Sequence, residues 1–326
     1  MTNSGVCYVG IDLGGTSLRA LVTDEQYKIL GLKKVRTPRT GGPGRLIQKI
    51  AALAESTLQD ADVSRTQVRA VSVGAPGPID RAHGIVEEAP NLGWKQVPLR
   101  SELRQLLRVP IFVENDVNVG LVGEHALGAG RGAKNLVGIF VGTGIGGALI
   151  LNGELYEGSR GGAGEIGHTV LAVDGPLCGC GRRGCAEALA SRTAMERDVR
   201  AAIKSGRKSC VLKIMKKKNK ERMTSSIIAT ALKKDDVVMQ EVMHRAQFHL
   251  GILASNAVNL LDPECVVFGG GIAERLKDTY VNPIRETAYE YFLRPSDRDR
   301  VRIVPGKLGD NAGALGAIVL AKQRLM

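Results

Sequence analysis

The sequence contains no apolar run long enough to cross a membrane and no segment typical of a secretory leader. Its best apolar stretch, residues 312–321, includes glycines, and a membrane-spanning helix needs about 20 apolar residues. Residues 1–6 lack the basic and then apolar order of a signal peptide. We therefore expect a cytoplasmic protein that has no membrane partner.

Spaced cysteine pairs and aromatic residues are also scarce. The six cysteines lack the spacing of a secreted disulfide framework, which favours a reducing compartment. Aromatic residues make up 4% of the chain, and none lies in the basic segment 207–222, where eight basic residues accompany one acid, Glu221. Without aromatic side chains to stack on bases, this segment argues against a nucleic-acid partner. We interpret it as a solvated loop and helix face, whose charge would concentrate anionic substrates such as nucleotide or polyphosphate.

The chain length and the hydrophobic pattern favour a globular protein of two domains. Its 326 residues can form two domains, each with a sizeable core. The spacing of apolar residues predicts helices over 46–58, 99–107, 117–127, 191–205 and 237–261, strands over 6–13, 17–23, 29–35, 68–73, 110–113, 265–268 and 301–304, a linker over 37–44, and loops over 74–78 and 90–94.

Four residues that bind soft metal ions lie close together in the middle of the chain. His168 is followed by Cys178, Cys180 and Cys185, which is the donor set of a closed, tetrahedral zinc site. A disulfide is disfavoured because Cys178 and Cys180 are too close to pair and one cysteine would be left over. The alternative is that these are ordinary buried cysteines and a core histidine. Because four protein ligands leave no open position, we expect a structural ion that stiffens a binding surface.

Two glycine turns form an internal repeat. Residues 9–22 align without gaps on residues 137–150, and six of the fourteen positions are identical. Each turn exposes backbone N–H groups that can bind phosphates, and Asp12 beside the first could hold a hydrated Mg²⁺. The corresponding position in the second copy is Phe140. No Gly-Lys-Ser/Thr follows, so neither turn is a Walker loop. The repeat predicts a duplicated domain with a nucleotide in the cleft between its halves; chance similarity of glycine-rich strands is the alternative.

Two further segments carry candidate functional groups at strand ends. The strand over 110–113 delivers Glu114, Asn115 and Asp116 at its carboxyl end, where open α/β sheets place ligands. A carboxylate there could bind a polyol hydroxyl and accept its proton. The alternative role of these residues is to cap the following helix. The third glycine turn, residues 269–271, could pack against a base or ribose without a side-chain clash.

Together these motifs resemble the ROK family of bacterial sugar kinases and sugar-responsive repressors, part of the superfamily of actin, hexokinase and heat-shock ATPases. The specific element is the Cys-x-Cys-Gly-x-x-Gly-Cys-x-Glu pattern within 165–187, and Ala186 departs from it slightly because the family often has a bulky residue there. The resemblance implies an α/β, two-lobed, duplicated fold of the actin-like, ribonuclease H-like type, with an interlobe cleft and a zinc-binding loop. We expect residues 1–117 to form the smaller lobe, joined by a C-terminal helix over 311–326, and residues 118–310 the larger.

The resemblance also implies roles for individual residues and three cofactors: ATP, Mg²⁺ and Zn²⁺. Asp116 is implied as the catalytic base. The sugar contacts that it implies are Asn91, Asn115, Asp116, Glu165, His168 and Glu187. Together with the turns described above, the expected nucleotide contacts are Asp12, Gly14, Gly15, Thr16, Gly142, Thr143, Gly144, Gly269, Gly270 and Gly271. The implied zinc ligands are His168, Cys178, Cys180 and Cys185.

The activity that the resemblance implies is ATP-dependent phosphorylation of a hexose, most often glucose. Alternatives are a kinase for N-acetylmannosamine, mannose, fructose or allose, a polyphosphate-using glucokinase, and a non-catalytic sugar-sensing regulator. A regulator needs a helix-turn-helix segment before the first strand, and that strand begins near Val6, so we expect an enzyme. Its expected partners are a hexose, ATP and a second copy of the chain in a homodimer.

Overall fold

Each half of the fold is built on a five-stranded sheet, and the two sheets have the same order of strands. A computed structural model describes residues 5–38 and 40–325. The described residues leave out residues 1–4, which belong to the segment where no signal peptide is predicted. They also leave out Arg39 of the predicted linker. The chain divides into unit 1, which comprises residues 1–128, 157–163 and 311–326, and unit 2, which comprises residues 129–156 and 164–310.

The strands and helices are numbered in chain order. The strands are β1 Cys7–Leu13, β2 Ser17–Asp24, β3 Ile29–Arg36, β4 Val68–Ala75, β5 Ile79–Asp80, β6 Ile85–Ala89, β7 Trp94–Val97, β8 Ile111–Asn115, β9 Leu136–Val141, β10 Ile145–Leu151, β11 Glu154–Leu155, β12 Cys265–Gly269 and β13 Arg302–Pro305. The helices are α1 Gly42–Asp60, α2 Leu99–Leu107, α3 Asp116–Leu127, α4 Ala186–Ala190, α5 Arg192–Lys204, α6 Val211–Lys217, α7 Ser225–Leu232, α8 Val237–Leu261, α9 Gly271–Leu276, α10 Asp278–Glu290 and α11 Ala312–Leu325.

The sheet of unit 1 has the order β3-β2-β1-β4-β8. Its first three strands are antiparallel hairpins, whereas β4 pairs with β1 and β8 pairs with β4 in parallel. Helix α11 packs on β1 and on α3. The contact with β1 requires a glycine at position 10, because a Cβ there would collide with the backbone of Ala314. The carboxyl ends of β1, β4 and β8 therefore share one edge of a sheet that is covered by α3 and α11.

The sheet of unit 2 repeats this arrangement, with the order β11-β10-β9-β12-β13. The hairpin β9–β10 is antiparallel, and β12 pairs in parallel with both β9 and β13. The aligned residues 9–22 and 137–150 lie in the corresponding hairpins, β1–β2 and β9–β10. The predicted duplication is therefore confirmed, and chance similarity of two glycine-rich strands does not explain it.

Helix α8 organises the core of unit 2. The predicted span 237–261 is confirmed at both ends. The helix stops at Asp262, which adopts the left-handed conformation, and the following Pro263 disfavours a further helical residue before it. Buried side chains of α8 pack in one cluster with Phe268 and Tyr280. Among the described residues, no helix combines the length and apolarity needed to span a bilayer.

A small antiparallel sheet of β5, β6 and β7 was not predicted. The loop expected over 90–94 was wrong in part: Pro90–Leu92 forms a 3₁₀ turn, and Trp94 begins β7 with its side chain buried. The short strands carry charged residues next to apolar ones, so their hydrophobic alternation is weak. The consequence for function is that Asn91 stands on a turn next to the buried indole of Trp94, three residues later.

Candidate active site

The polar residues at the junction of β8 and α3 divide the two roles that the sequence allowed for them, helix capping and ligand binding. Asn115 is the helix cap, since its Oδ1 accepts hydrogen bonds from the backbone N–H of Val117 at 2.9 Å and of Asn118 at 3.2 Å. Asp116 is the first residue of the helix, and its Oδ1 accepts from the N–H of Val117 at 2.9 Å. Within the described part of the chain, no other residue donates a hydrogen bond to Asp116 Oδ2. Capping is therefore performed by Asn115, and one carboxylate oxygen of Asp116 remains available for a ligand.

Burial raises the pKa of Asp116 to about 6. The hydrogen bond from the backbone N–H of Val117 favours the ionised form and opposes this rise only in part. The residue as a whole keeps some exposure to solvent. A carboxylate with this pKa is ionised at neutral pH and still basic enough to accept a proton, which is what general-base catalysis requires.

The neighbouring Glu114 is the fully buried member of a ring of four charged side chains. Its carboxylate is fully buried and accepts from Arg81 Nη2 at 2.7 Å and from Arg324 Nη2 at 2.9 Å. Glu157 completes the ring, because both arginines also approach it at 3.2 Å. Burial alone would raise the pKa of Glu114, but the hydrogen bonds and charge of Arg81 outweigh it and hold that pKa below its ordinary value.

Glu114 also fixes the backbone beside Asp116. Its Oε1 accepts from the N–H of Asn115 at 2.9 Å and from Asn118 Nδ2 at 3.0 Å. The ring therefore ties the start of α3 to segments that are distant in sequence, those that carry Arg81 and Arg324. We infer that Glu114 positions the junction and does not itself meet substrate.

Replacing Glu114 with alanine is expected to lower the free energy of unfolding by about 3–5 kcal/mol, because two half-buried guanidinium groups lose the fully buried carboxylate that they share. Since its pKa is depressed in the folded chain, Glu114 stabilises the fold fully above its ordinary value of 4.5, and this contribution is lost as the pH falls through the folded-state pKa. Urea unfolding at pH 7 measures the effect. The control is the exposed Glu87→Ala, expected within about 0.5 kcal/mol of the wild type; equal stability of the two variants would contradict the role of the ring.

The first glycine turn is fixed from two sides. Gly14 donates its N–H to Ser17 at 3.0 Å, and Thr37 Oγ1 donates to the Gly14 carbonyl at 2.6 Å. Asn91 lies against the turn, since a Cβ on Gly15 would stand 3.1 Å from Asn91 Nδ2. On the other side, a Cβ on Gly313 would stand 3.0 Å from the carboxyl carbon of Asp12. Unit 1 thus brings together four predicted positions: Asp12, Gly14, Gly15 and Asn91.

The second and third glycine turns share one edge of the unit 2 sheet. Gly142 donates its N–H to the carbonyl of Gly144 at 2.9 Å, closing the second turn. Gly269, in the third, lies against the ring of Phe140, and Gly270 has a φ of +90° beside the backbone of Val141. Because β9 and β12 are parallel neighbours, both turns emerge on the same side of the sheet. Thr143 at the tip of the second turn is exposed to solvent.

The four predicted zinc ligands converge in unit 2. Their ligand atoms all lie within 4.8 Å of one another. Cys178 Sγ is 3.7 Å from His168 Nδ1, and Cys180 Sγ is 3.7 Å from Cys185 Sγ. A tetrahedral zinc ion about 2.3 Å from each sulfur separates two sulfurs by about 3.8 Å. The cluster therefore fits Zn²⁺, with Nδ1 of the imidazole facing the sulfurs and Nε2 left for another partner.

Glu187 connects this cluster to the second glycine turn. Its Oε1 accepts from Cys178 Sγ at 3.6 Å, and its Oε2 accepts from the N–H of Ile145 at 2.9 Å. Glu165 is exposed at the start of the 3₁₀ turn Ile166–His168, which presents the imidazole. Unit 2 thus brings Glu165, His168 and Glu187 to one loop region, and their contact with a sugar stays a prediction.

Three arginines that contact candidate site residues were not predicted from the sequence. Arg81 and Arg324 contact Glu114 from 33 and 210 positions away, and Arg192 contacts Thr143 from 49 positions away. Nothing in their local sequence distinguishes them from surface arginines. The one indirect indication was that burying a carboxylate such as Glu114 costs free energy unless a cation pairs with it.

Comparison with known proteins gives consistent likenesses over nearly the whole chain. The ROK family profile matches residues 8–324. A glucokinase of Thermotoga maritima is 35% identical over 318 residues, which cover 97% of this chain and 98% of that protein. The structure of a ROK family glucokinase from Streptomyces griseus in complex with glucose and AMPPNP is 30% identical, has a TM-score of 0.85, and matches over 97% of this chain and 99% of that chain. A xylose repressor of Caldicellulosiruptor bescii is 28% identical over 312 residues, which cover 96% of this chain and 77% of the repressor.

The repeated sheet order and these likenesses define an α/β fold of the duplicated actin-like, ribonuclease H-like class, as predicted. Within that class, the chain belongs to the ROK family. The resemblance carried by the glycine turns and the cysteine motif is therefore confirmed. The family includes both kinases and repressors, so membership alone does not distinguish catalysis from regulation.

Proposed function

We propose that this protein is an ATP-dependent hexose kinase that converts glucose and ATP to glucose 6-phosphate and ADP. The observation that carries the proposal is Asp116, which combines a pKa of about 6 with a carboxylate oxygen that no described residue occupies. The likeness to glucokinases, one of them solved with glucose and AMPPNP, supports the choice of sugar and donor.

In the proposed reaction, the sugar hydroxyl oxygen attacks the γ-phosphorus of ATP. A new oxygen–phosphorus bond forms, the bond to the bridging oxygen of ADP breaks, and ADP leaves with its electron pair. Asp116 accepts the hydroxyl proton. Such transfer depends mainly on positioning and on stabilising charge. Magnesium, when bound with the nucleotide, would supply positive charge to the phosphates, and Asp12 would be its protein ligand.

The remaining site residues are proposed from the family resemblance. The proposed sugar contacts are Asn91, Asn115, Asp116, Glu165, His168 and Glu187. The glycine turns at 14–16, 142–144 and 269–271 are proposed to bind the nucleotide. Zinc is proposed as a structural ion held by the Cys₃His cluster, because its four ligands close the coordination shell. The division into lobes at residues 117 and 310 likewise remains a proposal.

Two other functions compete with this one. A kinase for N-acetylmannosamine, mannose, fructose or allose would use the same base and the same metal loop. A sugar-sensing regulator is favoured by the likeness to the xylose repressor. A regulator needs to bind sugar but has no use for a proton acceptor, so the raised pKa of Asp116 favours an enzyme.

A coupled assay of ADP release over a panel of these hexoses tests the proposal, with the Asp116→Asn variant as the background. We expect glucose to give the highest kcat/KM. A higher kcat/KM for another hexose would replace glucose as the substrate. Tight sugar binding by calorimetry, without phosphorylation of any hexose from ATP or polyphosphate, would overturn the kinase assignment in favour of the regulator.

A further inference from the structure

The second glycine turn is held by the first residues of α5, and this contact brings an arginine to the turn. The backbone N–H of Arg192 donates to the carbonyl of Gly142 at 3.1 Å, and its Nη2 donates to Thr143 Oγ1 at 2.6 Å. Thr193 Oγ1 donates to the carbonyl of Thr143 at 2.8 Å. The guanidinium of Arg192 is therefore fixed beside an exposed turn and is itself half-buried.

A second arginine reaches the same place from the end of the basic segment. Arg222 Nη2 donates to Thr193 Oγ1 at 3.4 Å, and its Nε donates to Glu196 Oε2 at 3.0 Å. Other cations of that segment are engaged elsewhere: Arg207 pairs with Glu241, and Lys218 donates to hydroxyl groups of α7. Arg222 is mostly exposed, as expected for a solvated face, but its guanidinium is also held beside the second glycine turn.

The charges around the turn do not balance. Glu196 receives both Arg222 and Arg200, the latter at 2.8 Å, and Arg192 has no ion pair within the described part of the chain. Glu187 adds a second carboxylate at the turn, since its Oε2 lies against Gly144. The three guanidinium groups therefore exceed the neighbouring carboxylates by one positive charge. Burial, and then the charge of Arg222, lower the pKa of Arg192. An arginine nevertheless stays charged at any physiological pH, so the excess charge persists.

The position of Arg192 in its helix adds to this excess. It is the first residue of the 13-residue helix α5, and the first turn of that helix contains no acidic residue. Backbone N–H groups at a helix start carry partial positive charge, so anions are stabilised there and cations are not. Backbone N–H groups of Thr143 and Gly144 also find no acceptor among the described residues. A bound anion would satisfy all these groups at once.

We propose that Arg192 and Arg222 form a phosphate-binding clamp at the second glycine turn, which takes the phosphate chain of the phosphoryl donor. Guanidinium groups bind phosphate oxygens through paired, charge-assisted hydrogen bonds. The proposed ligand is a chain of linked phosphates. Such a chain is present both in the triphosphate of ATP and in inorganic polyphosphate. The inference rests on the proposed kinase activity for its role, although the binding itself can be measured without turnover.

Binding of ATP–Mg, of a short-chain inorganic polyphosphate and of glucose to the full-length protein is measured by calorimetry. The variants are Arg192→Gln and Arg222→Gln, and the control is Arg207→Gln, which removes an equal charge from an exposed pair with Glu241. Loss of a charge-assisted hydrogen bond to phosphate is expected to weaken donor binding about 10- to 100-fold in the first two variants. The Kd for glucose should stay within about 2-fold, and Arg192→Lys should recover part of the donor affinity.

The outcomes separate the possible roles. Weaker binding of ATP alone assigns the clamp to the nucleotide, and weaker binding of polyphosphate alone assigns it to that donor; either result supports the proposal. It is overturned if neither donor is affected, if the wild type binds neither, or if glucose binding falls as much as donor binding, which would make Arg192 a structural support of the turn. If Arg192→Gln fails to fold, the mostly exposed Arg222 carries the test. If the arginine variants bind a donor more weakly but the wild type phosphorylates no hexose, the phosphate-binding clamp is supported and the proposed kinase activity is refuted.

Discussion

Replacing Asp116 with asparagine is expected to lower turnover by about 10²- to 10⁴-fold, the usual contribution of a general base. Asparagine has nearly the same shape and can still accept the hydrogen bond from the N–H of Val117, which Asp116 accepts at 2.9 Å. It cannot accept a proton, so the loss should appear in kcat, while the Kd for glucose changes little. The coupled assay and calorimetry measure the two quantities, and exposed Asp235→Asn is the matched control.

The pH dependence gives this prediction a second readout. The wild-type kcat should fall below an apparent pKa of about 6, because protonated Asp116 cannot act as a base. The residual activity of Asp116→Asn should lack this acidic limb. Unchanged turnover, or an acidic limb that survives the substitution, would reduce Asp116 to a structural residue at the start of α3.

Ionised Asp116 is expected to lower the stability of the folded chain, because burial disfavours its charged form. Its pKa is higher in the folded chain than its ordinary value of 3.8, so the folded state binds more protons across that interval and stability falls as the pH rises through it. Asparagine does not ionise, so the variant should be more stable than the wild type at pH 8 by about 1–3 kcal/mol, and not at pH 4. Urea unfolding at the two pH values measures the difference.

Removal of the metal is expected to abolish sugar binding while sparing the nucleotide. Without an ion, His168 loses its anchor, and the three thiol groups no longer hold the loop between Glu165 and Glu187 in one conformation. Glu187 also accepts a hydrogen bond from the N–H of Ile145, so a smaller effect on the second glycine turn should accompany the main one. Cys180→Ser should therefore lower zinc content and weaken glucose binding more than ATP binding.

Elemental analysis and calorimetry on the purified protein provide the measurement. The matched control is Cys210→Ser, a cysteine outside the cluster, which should keep its zinc and its affinity for glucose. A wild-type protein free of metal but fully active would contradict both the zinc assignment and the structural importance of this loop.

Features encoded by local pattern or by short spacing could be predicted from the sequence. The repeat of residues 9–22 and 137–150 was visible because each copy is a complete hairpin of the same kind. Helix α8 was correct at both ends because its apolar spacing stops at an aspartate followed by proline. The cysteines could be grouped because three of them lie within residues 178–185 and have little chain to fold before they meet.

Features that depend on contacts between distant segments could not be predicted. The ring around Glu114 joins residues that are distant in sequence, and no local pattern pairs Glu114 with Arg324, 210 positions away. The sheet of β5, β6 and β7 is specified mainly by burial of Trp94 and its neighbours rather than by alternation. The roles of Asn115 and Asp116 could not be divided either, since either residue can cap a helix.

The packing of α11 on β1 has a consequence for biosynthesis. Helix α11 belongs to unit 1, yet it leaves the ribosome after every residue of unit 2. Between residues 128 and 312, at about 5–20 residues per second, the nascent sheet of unit 1 waits on the order of ten seconds or more with an uncovered apolar face. Unit 2 can complete its own core first. Residues 1–128 therefore cannot complete their native packing until unit 2 has been synthesised.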